Sequence, residues 1–503
     1  MPPLPPGVLR RSLILSAAAS ALGAIFFTII QGTIFAFFLE DLSLRDRLPY
    51  FLGLWCIASL GNVLGSWMQD RWACRKALFL WGIGGSRIFW LVIGLITLLR
   101  PDWLRADIAF RWLSVLIILF SFIHAAGAPA WLSWIADLVP SKMQGRYWSL
   151  RQVGCAGASV LARLASGYYL DAHRNPKGYA VLFLLAAGIG IIDALMFLGV
   201  AHRRPKRRVG GRNVLAEFSH RLRVPAFRRL CGVYLLWSIS NCLIGPTCYY
   251  FMRDQVKMGV VSFAVVEAIC LASYTVFSFL WGRYSDHHGH RGPLVLCLLL
   301  HALCPIFYFP AGPHDAAYVA VCWTVGAIGF SGINLFMWPL VIRYTKVRGG
   351  GREMGMAAFN VVLGFASFLA FMVADRALYD AAGYWVGGPG RGPRACLAIM
   401  AACMVLRFAA AALAYLLPQE AAETTPEAVI KQIVTTSPLR AGLSFLMYIT
   451  GQEVWQELGE PEEQPQEPDA ELAARLEDVP SASERLRPQG AAAQPAAQHE
   501  ERF

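Results

Sequence analysis

Gly282-Arg283-Tyr284-Ser285-Asp286-His287-His288-Gly289-His290-Arg291 is a short polar stretch between two long apolar runs, 260–281 and 293–311. Each run has about the 20 residues that a helix needs to cross a bilayer at 1.5 Å per residue. A turn this short makes the two helices antiparallel neighbours. Working outward, the same reading predicts twelve membrane helices, at 13–38, 48–68, 78–99, 112–138, 152–170, 179–201, 230–251, 260–281, 293–311, 317–342, 355–378 and 395–417. Of 503 residues 56% are hydrophobic and 16% charged, with mean hydropathy +0.47, whereas a soluble domain carries about 25% charged residues. The expected fold class is an all-α membrane protein.

Charge is unevenly divided. Residues 1–417 hold 39 Lys/Arg and 17 Asp/Glu, and the tail from 418 holds 6 and 16. The basic residues sit in loops between apolar runs. They read as topology signals rather than as a nucleic-acid surface. Loops on the side of the N-terminus carry 24 Lys/Arg and the opposite loops 12. The positive-inside rule then puts both termini and the loop 202–229 in the cytoplasm of a multi-pass plasma-membrane protein, read as one of a bacterial inner membrane. The first apolar run follows Arg10-Arg11 and continues to Phe38, too long for a cleaved signal of about 7–15 apolar residues. All of the 12 cysteines but Cys74 fall in or beside apolar segments, with no zinc or disulfide spacing.

The layout is two-fold. An N-terminal half, 1–201, and a C-terminal half, 230–417, hold six helices each and flank a basic linker, 202–229, with ten Lys/Arg. An acidic tail, 418–503, follows; it is rich in Glu, Pro, Gln and Ala from Gly459 and reads as largely disordered. Within it, 438–458 could form an interfacial helix. The halves repeat. Ser66-Trp67-Met68-Gln69-Asp70-Arg71 stands in the first half where Gly282 to Arg291 stands in the second, and Gly145-Arg146 corresponds to Gly351-Arg352. Duplicated six-helix halves suit secondary transporters, with the solute site at the interface of the repeats.

On these residues the sequence resembles the major facilitator superfamily. Its Gly-x3-Asp-x2-Gly-x-Arg signature is matched by Gly282, Asp286, Gly289 and Arg291. The first copy is degraded: Ser66 or Gly65 opens it, Ala73 replaces the second glycine, and one residue is inserted before Arg75. Asp137-Leu138-Val139-Pro140 to Arg146 is similar to the family's loop between helices 4 and 5. The resemblance covers 12–417 and not the tail. It implies two pseudo-symmetric six-helix bundles working as a monomer. It also implies a conformational latch made by Asp70, Arg71, Gly282, Asp286, Gly289 and Arg291.

Ionisable side chains inside bilayer helices are expensive, which makes them candidates for function. Arg163 and Glu267 both lie roughly 18–21 Å from the inner ends of helices 5 and 8. Those helices face each other across the gap between halves by the resemblance, so the two could form a gate, or bind solute or a proton. Arg87 and Asp193 share a depth in helices 3 and 6 and read as a structural pair; Arg407 and His301 do so in helices 12 and 9. Helices 1, 4, 7 and 10 should line the cavity by the resemblance. They supply Gln31, His124, Trp134, Trp237, Asn241, Asn334 and Trp338, which suit a neutral or amphipathic solute such as a sugar.

No phosphate-binding loop, metal-ligand spacing or catalytic triad occurs in the sequence. No enzyme activity, cofactor or metal is therefore expected. The reading is a secondary active transporter of a small organic solute, by symport or uniport, with a coupling proton or cation compatible and membrane lipid as its surroundings. The alternatives are a transporter-like sensor or scaffold that uses its tail, and a drug or metabolite efflux antiporter. The Gly-Pro element that the resemblance implies for antiporters in helix 5 is missing.

Overall fold

The computed structural model describes residues 5–57, 59–72, 74–139, 144–202, 222–288, 290–344 and 352–418. The candidate interfacial helix 438–458 and most of the linker lie outside them. Every regular element among the described residues is a helix, with no strand. The first half holds α1 (Pro6–Ile30) with its continuation α1′ (Thr33–Asp41), α2 (Leu48–Ile57 and Ser59–Trp72), α3 (Arg75–Leu99), α4 (Ala106–Leu138), α5 (Gln144–Ala172) and α6 (Pro176–Met196). The second half holds α7 (Pro225–Asp254), α8 (Val260–His288), α9 (Arg291–Leu303), α10 (Ala316–Tyr344), α11 (Arg352–Val373, then Tyr379–Val386 after a wide turn) and α12 (Pro393–Tyr415).

Among the described residues, 11 passes are long and apolar enough to cross a membrane. The remaining one, α5, has 29 residues, about 43 Å at 1.5 Å per residue. It is more polar because it carries Arg146, Arg151, Arg163 and Asp171. Much of the outer surface is as apolar as the interior: Leu185, Ile192, Val321 and Val405 are all more than 40% exposed. In water these side chains would drive association; in lipid they need no partner.

The first helix departs from the continuous run expected over 13–38. It breaks at Gln31–Gly32, where Gly32 has φ +72° and ψ −140°. That conformation is in practice open to glycine alone. Helix 7 bears Pro246 inside it, 214 residues after Gly32. The first half thus breaks its first helix at this level, whereas the second half carries a proline inside a continuous helix there.

Core packing differs at the two ends of the bundle. At the distal end, away from residues 5 and 418, one apolar core joins both halves. Phe37 of α1′ meets Tyr249 of α7 and Phe263 of α8 at ring separations of 5.8 and 5.6 Å. At the terminal end, two clusters stay apart among the described residues. One gathers Leu13, Phe79, Trp134, Ile135 and Phe197 of the first half. The other gathers Phe227, Tyr234, Trp281, Phe336 and Phe359 of the second. The halves are therefore packed together distally and cored separately at the terminal end.

Candidate functional site

Three elements meet where the distal packing begins. From α5, Arg163 Nη1 donates to Glu267 Oε2 of α8, forming an ion pair between the halves. From α1′, Thr33 Oγ1 donates to the other carboxylate oxygen, Glu267 Oε1. Gly32 closes the third side: a Cβ there would stand 3.0 Å from Arg163 Nη1 and 3.7 Å from Glu267 Oε1. The break in helix 1 thus provides both the room and the hydroxyl for the pair. One turn distal, α5 and α8 are in tight contact, since a Cβ on Gly167 would clash with that of Ala264. The pair is not sealed: Arg163 and Glu267 side chains are 17% and 13% exposed, and Gly32 is exposed.

The distal end is closed by charged residues that sequence reading did not single out. Glu40 accepts a fork from Arg253, with Nη2 at 2.9 Å and Nε at 3.1 Å from Oε1. It also accepts Tyr249 Oη at 2.7 Å and Arg174 Nη2 at 3.2 Å. Asp41 accepts two bonds from Arg174, at 2.6 and 3.0 Å, and one from Tyr179 at 2.6 Å. Hydrogen bonding to Asp41 raises the Arg174 pKa above the ordinary arginine value, fixing its charge. Three further ion pairs cross between halves: Arg45–Asp254 at 2.7 Å, Arg47–Asp375 at 2.8 Å and Arg391–Asp46 at 3.4 Å. The signal was present in the sequence. Glu40-Asp41 and Arg253-Asp254 end the first helix of each half, and like carboxylates recur there 214 residues apart.

The remaining intramembrane charges sit within single halves, in a repeated arrangement. Arg87 Nη2 lies 3.2 Å from Asp193 Oδ2, with both side chains buried and the guanidinium 3.9 Å above the Phe26 ring. Gly23 and Gly190 make room, since a Cβ on either would come within 2.9 Å of the pair. Adding 214 to each number carries Arg87, Asp193, Gly23 and Phe26 onto His301, Arg407, Trp237 and Ser240. Those residues also form one cluster. Arg407 donates to His301 O at 2.8 Å, Ser240 Oγ at 2.9 Å and Asn241 Oδ1 at 2.9 Å. Trp237 Nε1 donates to His301 Nδ1 at 3.1 Å.

Several cavity candidates are thereby occupied in packing. Trp237 and Asn241 belong to the Arg407 cluster. Trp134 is 2% exposed, and its indole donates to Ala201 O at 2.9 Å. His124 stacks on Phe120 at 5.7 Å and lies 3.4 Å from Ser86 Oγ. Trp134 and Trp237 are buried within their own halves, and His124 and Asn241 are partly buried there. Asn334 donates to Phe330 O of its own helix at 2.9 Å. Gln31 is half-buried, and its amide makes no hydrogen bond among the described residues.

Of the motif residues, Arg291 donates to Tyr415 O and Arg71 is exposed. A Cβ on Gly282 would stand 3.8 Å from Leu335 Cδ2. Arg75 of the degraded copy pairs with Asp137 at the end of α4. Gly289 and the side chains of Asp70, Asp286 and Trp338 lie outside the described residues.

The Major Facilitator Superfamily profile matches residues 18–371. The chain belongs to this superfamily. Membership makes it a multi-pass membrane transporter of the secondary type. Solved superfamily structures share the fold. A D-xylose–proton symporter is 13% identical with a TM-score of 0.61, covering 83% of this chain and 100% of that one. The nucleoside transporter NupG, in a mutant form, is 13% identical with a TM-score of 0.59, covering 80% and 99%. A bacterial homolog of the human lysosomal transporter Spinster, inward-facing and unoccupied, is 17% identical with a TM-score of 0.52, covering 82% and 96%. No curated protein matches the sequence. Within the superfamily fold, the Arg163–Glu267 contact lies between the two six-helix halves.

Proposed function

We propose that this superfamily member moves a small organic solute by alternating access, with the α5–α8 seam as its gate. The observation that carries the reading is the Arg163–Glu267 ion pair. It joins the halves where distal packing gives way to two separate cores. Rocking the halves apart distally must break this pair and the Glu40 seal. Rocking them together at the terminal end would bring the two terminal cores closer. The excess of basic residues in loops on the terminal side supports cytoplasmic termini. The conformation described is then inward-facing. The signature loops at 66–76 and 282–291 are assigned to latch the terminal end when it closes, through Asp70, Arg71, Asp286 and Arg291. The carrier works as a monomer by symport or uniport.

The test is exchange of a solute mixture in proteoliposomes, read by mass spectrometry. Saturable exchange of at least one solute, lost in Glu267→Ala, is expected. No exchange by folded protein would favour the sensor or scaffold reading instead.

A further inference from the structure

One ion pair between the halves leaves part of an arginine unengaged. Trp134, Trp237, Asn241 and His124 are used in packing. Arg163 remains, and only one edge of its guanidinium is engaged. Nη1 serves Glu267. Nε and Nη2 make no hydrogen bond among the described residues, and the side chain is 17% exposed. The Nε–Nη2 edge is the planar fork that takes a carboxylate by two parallel hydrogen bonds. Gln31, whose amide makes no hydrogen bond among the described residues, precedes Gly32 in the chain, and Gly32 lies against that guanidinium.

A second arginine points the same way. Arg151 lies twelve residues nearer the terminal end of α5. It donates from Nε to Ser20 Oγ of α1 at 2.8 Å, and its guanidinium stands 4.7 and 5.1 Å from the Trp131 and Trp148 rings. No carboxylate pairs with it among the described residues. Arg151 is thus a second α5 guanidinium without a carboxylate partner, nearer the terminal end, and positive charge there favours anions.

Resting on the transporter reading above, we propose that the solute is an organic carboxylate. Its carboxylate docks on the Nε–Nη2 edge of Arg163 beside Gln31, and Glu267 takes up a proton when it does. Charge balance requires the proton. Two carboxylates on one guanidinium would leave a net negative charge in a poorly solvated site. One proton, taken from water in the opening, neutralises Glu267 and travels with the solute. Few other groups could take that role. Against α8 pack α5, which brings Arg163; α1′, which brings Thr33 and, at its far end, the Glu40 and Asp41 already held by Arg253 and Arg174; α9, whose His301 is held by Trp237; and α10, which brings Tyr318 and Cys322. On α8 itself the neighbour is Cys270, bonded to Trp323 O.

The test uses thermal stability of the purified full chain with benzoate, lactate and gluconate against glucose and uridine, at equal concentrations and at acidic and alkaline pH. At least one carboxylate should stabilise the wild type, more at acidic pH, while neutral probes do not. Arg163→Lys keeps the charge and loses the fork, so its apparent affinity should fall about tenfold or more. Glu267→Gln, a mimic of the protonated acid, should bind without pH dependence. Stabilisation by the neutral probes alone, by no probe, or equally in wild type and Arg163→Lys would overturn the assignment. Flux of the same probes in proteoliposomes separates the two readings. Carrying only neutral solutes would leave the transporter standing and remove the carboxylate. Binding carboxylates without flux would do the reverse.

Discussion

Glu40 and Arg253 lie at the ends of the first helices of the two halves, and their side chains meet in a fork with contacts of 2.9 and 3.1 Å. The carboxylate also takes bonds from Tyr249 and Arg174. Distal closure is thus tied to one residue through which α1′, α7 and the α5–α6 turn meet. Hydrogen bonds to a charged group contribute about 1.5–3 kcal/mol each. Glu40→Gln should therefore loosen the distal end. Hydrogen exchange over Thr33–Asp41 should quicken about tenfold or more. Asp107→Asn, at an exposed distal carboxylate, should leave exchange there unchanged. Equal exchange in both variants would show that Glu40 does not hold the closure.

Gly32 tests the break in helix 1. Alanine there must adopt a conformation that costs about 1–3 kcal/mol, and its methyl would crowd Arg163 Nη1. Gly32→Ala should abolish solute exchange while most of the protein remains folded by size-exclusion chromatography. Gly154→Ala meets nothing within 4 Å and should keep both. An active Gly32→Ala protein would show that the break has no part in the cycle.

The two buried charge clusters predict stability rather than transport. Asp193→Asn strands Arg87, and breaking a buried pair typically costs about 3–5 kcal/mol. A large fall in melting temperature is expected. Arg87→Met combined with Asp193→Leu should recover most of it, because apolar replacements of similar volume remove the orphaned charge. A single variant as stable as wild type would mean that the pair is not holding α3 to α6.

For the cross-half pair, each of Arg163→Gln and Glu267→Gln should lose exchange of solute. The double variant should lose less than the singles combined, since neither charge is then left alone in the gap. Defects that simply add would separate the two residues energetically and remove the gate from this position.

How much of this could be read from sequence follows from the kind of signal each feature leaves. Arg163 and Glu267 stood out because a charge in an apolar run is conspicuous, and counting turns from the helix ends gave them one depth. The same count matched Arg87 with Asp193. The Glu40 seal was missed because a charge at the end of an apolar run looks like an ordinary loop boundary. Only the repeat after 214 residues, onto Asp254, marks it out. The break at Gly32 leaves no hydropathy signal, because the runs before and after it are equally apolar. The direction in which tryptophans and amides point was not legible for a similar reason. An indole in a helix that lines a cavity can face the cavity or its own half, and composition does not record the direction. Trp237 turns to His301 because, at the position equivalent to Gly23, the second half has a ring where the first has space.

The central claim is that the halves separate distally when the seal is broken. The most direct measurement is the distance distribution between nitroxides on two exposed distal sites, Arg105 of the first half and Tyr384 of the second, attached through unnatural amino acids to spare the native cysteines. The wild type should show a short distance as its main population. Glu40→Gln combined with Glu267→Gln should shift weight to a second, longer population, with the distances inside each half unchanged. One unchanged distribution in both proteins would contradict alternating access about this seam.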